Sequence, residues 1–400
     1  MLFKYLPVAF SLGPILQVAA RPAAECQAEQ QAGAVYLITN QAENAVVAVP
    51  IGADGMLSQG TTTPTGGAGG ISVDAATGEP VNTDPLVSQS AVTVAGNNVF
   101  AVNAGSNTVT MFKIDPKDAT RLTMVGQPVQ VPGEFPNTVA ASAKHQLVCV
   151  GTTGAVAGIS CANFSKKNGI GAMDELRAID LGQTTPPAGP TNTVSQVFFS
   201  DDQNTLFTTV KGDPAANNTG FLGSFDVASC GKRGVVAQEG GRSSPEGTAV
   251  LFGSTALPGT TDLFVTDASF GAAVLSVDGE GAGVVKGQSA IDGQAATCWA
   301  TFSPATKTAF VTDVAVNRLV EMSVEDGSII GEIDLSANGN PGMIDLRAIG
   351  DFIYALSPGN GATEAAISVV DAASKEEVQF FQMGAMGVNN LAMGLAARTA

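Results

Sequence analysis

Histidine is nearly missing from this chain: His145 is the single one, beside one tryptophan and three tyrosines. So little imidazole rules out a multi-histidine metal centre and the His-Glu-x-x-His zinc-protease signature, and Gly-x-Ser-x-Gly is absent as well. Positive charge is also sparse, with 19 Lys and Arg against 36 Asp and Glu, a net charge of −17 and no basic cluster. A phosphate-binding protein has to present concentrated positive surface, so nucleic acid and anionic membranes are excluded as partners. No apolar run beyond the N-terminus approaches the roughly twenty residues that span a bilayer. Charged residues make up only 14% of the chain, against 44% hydrophobic ones and 47 glycines. That balance describes a turn-rich globular body with ample core material, not a disordered polyelectrolyte.

What the chain does have at its start is Lys4 followed by an apolar run over 5–20, interrupted by Pro7 and Pro14 and ending in Val18-Ala19-Ala20. This pattern predicts a secretory signal over 1–20, a polar leader over 21–31 and a mature body over 32–400 that is secreted, extracellular or cell-wall associated. Five cysteines remain after cleavage: Cys26, Cys149, Cys161, Cys230 and Cys298. An oxidising compartment allows pairing, and Cys149 with Cys161 is the expected disulfide because they sit on neighbouring strands around the turn at Gly154. The odd count leaves at least one thiol over. Asn163 and Asn217 begin sequons and are candidate glycosylation sites. No His/Cys cluster or Cys-x-x-Cys points to a metal, and no cofactor is implied.

The fold is legible in residues 90–115, SAVTVAGNNVFAVNAGSNTVTMFKID, where three short strands are separated by Gly/Asn turns that supply positive φ. The same module returns. Its apolar second strand recurs as VYLITN at 35–40, VFAVN at 99–103, LVCVG at 147–151, LFTTV at 206–210, LFVTD at 263–267, AFVTD at 309–313 and FIYAL at 352–356. A spacing of about forty to sixty residues matches propeller blades with loop insertions. Inner strands precede six of them: AVTV at 91–94, NTVAAS at 137–142, SQVFFS at 195–200, GTAVLF at 247–252, CWATFS at 298–303 and MIDLRA at 343–348. The first module lacks one, and NLAMGLA at 390–396 has no module after it. The expectation is an all-β, seven-bladed β-propeller closed by the C-terminal strand pairing into the first blade, which removes an exposed edge. Residues 61–85, rich in Gly, Thr and Pro, read as an extended loop with at most one weak strand at 70–73.

NAGSNTV at 103–109, DPLVSQ at 84–89, TVKGDP at 209–214 with GFL at 220–222, and TDASFGAAVL at 266–275 resemble the secreted fungal branch of the seven-bladed lactonase-type propellers. Members of that family are often labelled 3-carboxymuconate cyclase, and relatives include 6-phosphogluconolactonases. The resemblance implies a lactone or muconate site at the central-channel mouth built from histidine, arginine and carboxylates. Where active relatives carry Pro-His at the start of an inner strand, this chain has Pro136-Asn137, and His145 is expected in an exposed turn on the opposite face.

The loops expected at the ligand face contribute Gln89, Asn103, Asn107, Asn137, Lys211, Asp267, Asp313 and Asn317, with Trp299 available to stack on a ring. Glu246 and Arg242 form the candidate catalytic pair, a carboxylate to move a proton and a guanidinium to polarise a carbonyl. Asp267 or Asp313 would be the carboxylates for calcium, although no recognised loop spacing is present. Three functions follow: a secreted or surface propeller binding a small molecule, glycan or surface protein without turnover; a lactonase or muconate cycloisomerase; and a structural wall component. A monomer is expected.

Overall fold

The computed structural model describes residues 1–5, 32–231 and 233–399. The expected signal boundary after Ala20, the polar leader and Cys26 lie outside the described residues, as does the body of the apolar run.

Seven antiparallel sheets form the blades, and their inner strands contact one another in a closed ring. Blade 2 runs outward from Val92–Ala95 through Asn98–Asn103 and Thr108–Ile114 to Leu122–Met124. Blades 3 to 7 repeat that order, with inner strands Pro136–Ser142, Val194–Phe199, Leu251–Ala256, Thr297–Ser303 and Ile344–Ile349. Blade 1 is assembled from both ends of the chain. Met393–Thr399 is its inner strand, paired antiparallel with Gly33–Ile38 so that Val35 faces Ala397 and Ile38 faces Met393. The wheel therefore closes as its unpaired first and last strands require.

Burial follows strand position. Second strands such as GAVYLI and NVFAVN are buried at every residue, because both faces of a blade's middle pack against neighbouring blades. Outer strands such as Gly283–Ala290 alternate between covered and exposed residues, since only one face meets protein. Among the described residues no helix is long and apolar enough to cross a membrane.

Three strand expectations need correction. Thr61–Pro64 belongs to no loop; it is the outer strand of blade 1, pairing with Ala45–Ile51. Its threonines suit a pleated strand, but this short outermost strand buries none of its residues and so shows no apolar alternation. The weak strand placed at 70–73 is instead Val73–Asp74, in parallel pairing with Ala188–Gly189. In blade 5 the inner strand starts at Leu251, not at Gly247, because the Asp267 carboxylate takes the amides of Ala249 and Val250 and holds them off the ladder.

Cys149 and Cys161 are cross-strand partners in blade 3 and form the expected disulfide, with Cα atoms 4.1 Å apart and a sequence separation of 12. Closing so short a loop restrains the unfolded chain by about 3 kcal/mol. The double variant Cys149→Ala/Cys161→Ala should lose about 2–4 kcal/mol in denaturant unfolding.

Candidate functional site

Residues 84–90, DPLVSQS, enter the central channel from the face carrying the second-to-third strand turns and close it. Leu86 and Ser88 are wholly buried there. The segment bends through positive φ at Asp84, Val87 and Ser90, a conformation that a β-branched valine strongly disfavours. Such residues cost of order 1–3 kcal/mol each and persist only when the surroundings hold them.

Four blades do the holding. Asn137 of blade 3 donates its Nδ2 to the Leu86 carbonyl oxygen at 3.2 Å and accepts Ser88 Oγ on its own carbonyl at 2.7 Å. In blade 4 the Ser195 carbonyl oxygen accepts the Gln89 amide at 2.9 Å. Blade 6 exchanges two bonds between Ala300 and the Gln89 carboxamide, and Trp299 Nε1 donates to the Ser88 carbonyl oxygen at 3.0 Å. Blade 7 takes the Ser90 amide on Asp345 Oδ2 at 3.1 Å. The plug is thereby a fixed part of the ring.

Above the plug lies a cleft of about 840 Å³ over blades 4, 5 and 6. Its walls include Val81, Val87, Val250, Phe252 and Val314, and its ionisable lining groups include Lys211, Asp84 and Cys298. Lys211 follows the second strand of blade 4 and is 1% exposed. Its Nζ donates to the Val87 carbonyl oxygen and sits 4.0 Å from the Phe252 ring centroid. Burial pulls the Lys211 ammonium down to about 8, against the opposing pull of Asp84. Burial likewise pushes the Asp84 carboxyl up to about 8, offset by Lys211 and by the Ser88 and Val87 amides. Asp84 Oδ1 is buried without a hydrogen-bond partner. Cys298, a free and buried thiol, is pushed up by burial first and by Asp84 second. Burial thus favours the neutral form of each group, a protonated carboxyl and an amine, while the attraction between Asp84 and Lys211 opposes it.

Of the residues expected at the ligand face, only Lys211 reaches this cleft as a chemical group. Gln89 is spent in the plug, and Asn137 clamps it, bonding also to the Val194 carbonyl oxygen. Asn103 is fully buried, donating to the hydroxyls of Thr108 and Thr110 and accepting from Asn44. Asn107 accepts the Phe135 amide, and Asn317 donates to the Leu335 carbonyl oxygen and to Asn338. Asp267 and Asp313 repeat one device: Oδ2 takes two amides entering the inner strand of the same blade and Oδ1 takes two groups of the following turn, Ser269 N and Oγ for Asp267 and the Ala315 and Val316 amides for Asp313. Their oxygens are thus engaged by protein donors. Trp299, expected to stack on a ligand, is wholly buried and meets Phe252 edge to face at 5.0 Å, so Phe252, itself buried, lines the cleft in its place.

Glu246 and Arg242 do not converge with each other or with Lys211. Arg242 lies on Gly241–Ser243, an outer strand of blade 4, with its guanidinium 4.6 Å from the Phe221 ring centroid. Glu246 is exposed beside Gly283 and Gln288 in a separate depression. Strand pairing in blade 4 carries this Gly-flanked stretch outward, away from the channel. His145 is on the expected opposite face but is 2% exposed, not an exposed turn: blade 4 folds over it, with the Gly234 amide on its carbonyl oxygen and Ser229 Oγ 3.2 Å from Nδ1. Asn163 spends its amide on the Gly234 carbonyl oxygen, whereas Asn217 stands exposed at a loop tip.

Sequence reasoning missed Asp84, Phe252 and Cys298 as site residues. The signal available for Asp84 was its place in DPLVSQ, ahead of an apolar stretch that cannot stay in a solvated loop.

No family model matches the chain, and no curated protein is significantly similar to it. Solved structures do share its fold. A periplasmic gluconolactonase from Pseudomonas aeruginosa superposes with a TM-score of 0.60 at 13% identity, covering 88% of this chain and 95% of that one. Two provisionally named 6-phosphogluconolactonases, from Bacteroides uniformis and Bacteroides fragilis, give TM-scores of 0.59 and 0.56 at 14% and 11% identity, each covering 92% of this chain. At these identities the likeness is one of architecture, a seven-bladed propeller.

Proposed function

We propose that this protein acts outside the cell as a binding propeller, holding in the cleft a small, mainly apolar molecule whose carboxylate or carbonyl oxygen docks between Lys211 and Asp84. The observation that carries this reading is Lys211 itself, a buried cation in an apolar cleft whose Nζ has one protein acceptor among the described residues. An ammonium has three donors, so a ligand oxygen satisfies what the protein leaves open. The N-terminal apolar run and the exposed sequon at Asn217 support the extracellular setting.

Trp299 is the only tryptophan and lies directly behind Phe252, so its emission reports cleft occupancy. Titration with a panel of aromatic and aliphatic carboxylates and lactones should give a saturable change in that emission. Lys211→Met should weaken binding at least tenfold, the loss expected for a hydrogen bond to a charged group. Wild-type affinity for carboxylates should fall as pH rises through about 8, where Asp84 and Lys211 both lose their protons. A flat Trp299 response across the panel would refute the reading.

A second reading, lactone hydrolysis, is favoured by the acid and amine sharing one floor and by the gluconolactonase names of similar structures. Here Lys211 would deprotonate water and Asp84 would protonate the departing ring oxygen. Acid release from the lactones of the panel, lost in Asp84→Asn, would establish it.

A further inference from the structure

We propose that Lys211 forms an imine with the carbonyl carbon of an aldehyde or 2-oxo acid held in the cleft, with Asp84 as the group that gives and takes the proton. The proposal rests on the cleft being the binding site. Three features of the floor point to it. Lys211 lines the cleft yet takes part in none of the ion pairs found among the described residues. Its nitrogen is bonded to a single carbonyl oxygen and lies on the face of Phe252, and burial opposes the charge that these two contacts favour, leaving an amine able to attack. Asp84 lines the same cleft with Oδ1 buried and unpartnered, free to serve a bound molecule.

The step balances without any oxidant. The Lys211 lone pair forms the nitrogen–carbon bond while the carbonyl oxygen takes the Asp84 proton, and the nitrogen returns a proton to Asp84, giving a carbinolamine. Asp84 then protonates the hydroxyl, the carbon–oxygen bond breaks with release of water, and the nitrogen lone pair completes the double bond. Apolar walls assist by keeping bulk water from reversing the condensation.

The test uses the full chain with phenylpyruvate at pH 8, with Trp299 emission read first and sodium cyanoborohydride then added. Peptide mass spectrometry should find the reduced adduct at Lys211 in at least tenfold excess over any surface lysine. Asp84→Asn should slow trapping about tenfold while leaving Lys211 present. Lys211→Arg, which keeps the charge, should retain the emission change and lose the adduct. A saturable emission change in the wild type with no enrichment at Lys211 would overturn the imine and leave the binding reading standing. Neither response would overturn both.

Discussion

A chain ending at Asn389 should show no cooperative unfolding transition and should elute as an aggregate, although it lacks only the last few residues. Those residues supply the inner strand of blade 1, with Met393 and Leu395 wholly buried and Ala396 nearly so. Deletion removes their burial, worth about 1.5–3 kcal/mol for each large side chain. It also strips the hydrogen-bond partners from Gly33–Ile38, leaving a fully apolar strand as an open edge. Leu395 carries a further connection, because its amide donates to Asp345 Oδ2, the same oxygen that holds Ser90 of the plug. Losing the strand therefore loosens the first blade, the seventh blade and the channel plug together, against a total stability of about 5–15 kcal/mol for an ordinary domain. Calorimetry and size-exclusion chromatography check this, and a truncated chain that melts sharply near the full-length temperature would contradict ring closure. The graded version, Leu395→Ala, should cost about 2–5 kcal/mol.

The second large effect is a minimum of stability near pH 8. In the folded protein burial raises Asp84 to about 8, so between its ordinary range and pH 8 the folded state keeps a proton that the unfolded chain has lost, and stability falls as pH rises. Asp345, also raised by burial, adds to that decline. Lys211 acts in the opposite sense. Lowered to about 8, it is already neutral above that pH while the unfolded chain still holds a proton up to the ordinary lysine range, so stability recovers. Cys298, raised by burial, opposes the recovery at higher pH. The cleanest measurement is therefore urea unfolding from pH 5 to 10 in a Cys298→Ala background, where the swing should be on the order of several kcal/mol. Lys211→Met should abolish the rise above pH 8, and Asp84→Asn should flatten the fall below it. A profile that is monotonic through pH 8 in the Cys298→Ala protein would show that the two groups titrate normally.

Much of the wheel can be read from the chain because blade middles are covered on both faces and have to be apolar at every position. VFAVN, LVCVG and LFVTD stand out for that reason. Thr61–Pro64 escaped notice for the converse reason: an outermost strand meets solvent and carries no such mark. The inner strand of blade 5 was displaced by a single side chain, Asp267, whose oxygens compete for amides that the ladder would otherwise use.

The site divides in the same way. Sequence order places Asn103, Asn137, Asp267, Asp313 and Trp299 near one end of the channel, yet each side chain there has a choice between the backbone beside it and a ligand above it. The structure turns these toward the protein, because the plug and the loop-to-strand entries expose amides and carbonyls that would otherwise be buried unpaired. Asp84 and Lys211 lie far apart along the chain and meet only because residues 84–90 fill the central channel.

Local periodicity, turn chemistry and the need to pair every edge were thus sufficient to specify a seven-bladed ring with its tail in the first blade, since those constraints act between neighbours or between the two free ends. Which ionisable groups lose water together was decided by the packing of the plug against the inner strands, because desolvation depends on everything surrounding a group and a linear pattern contains no such volume.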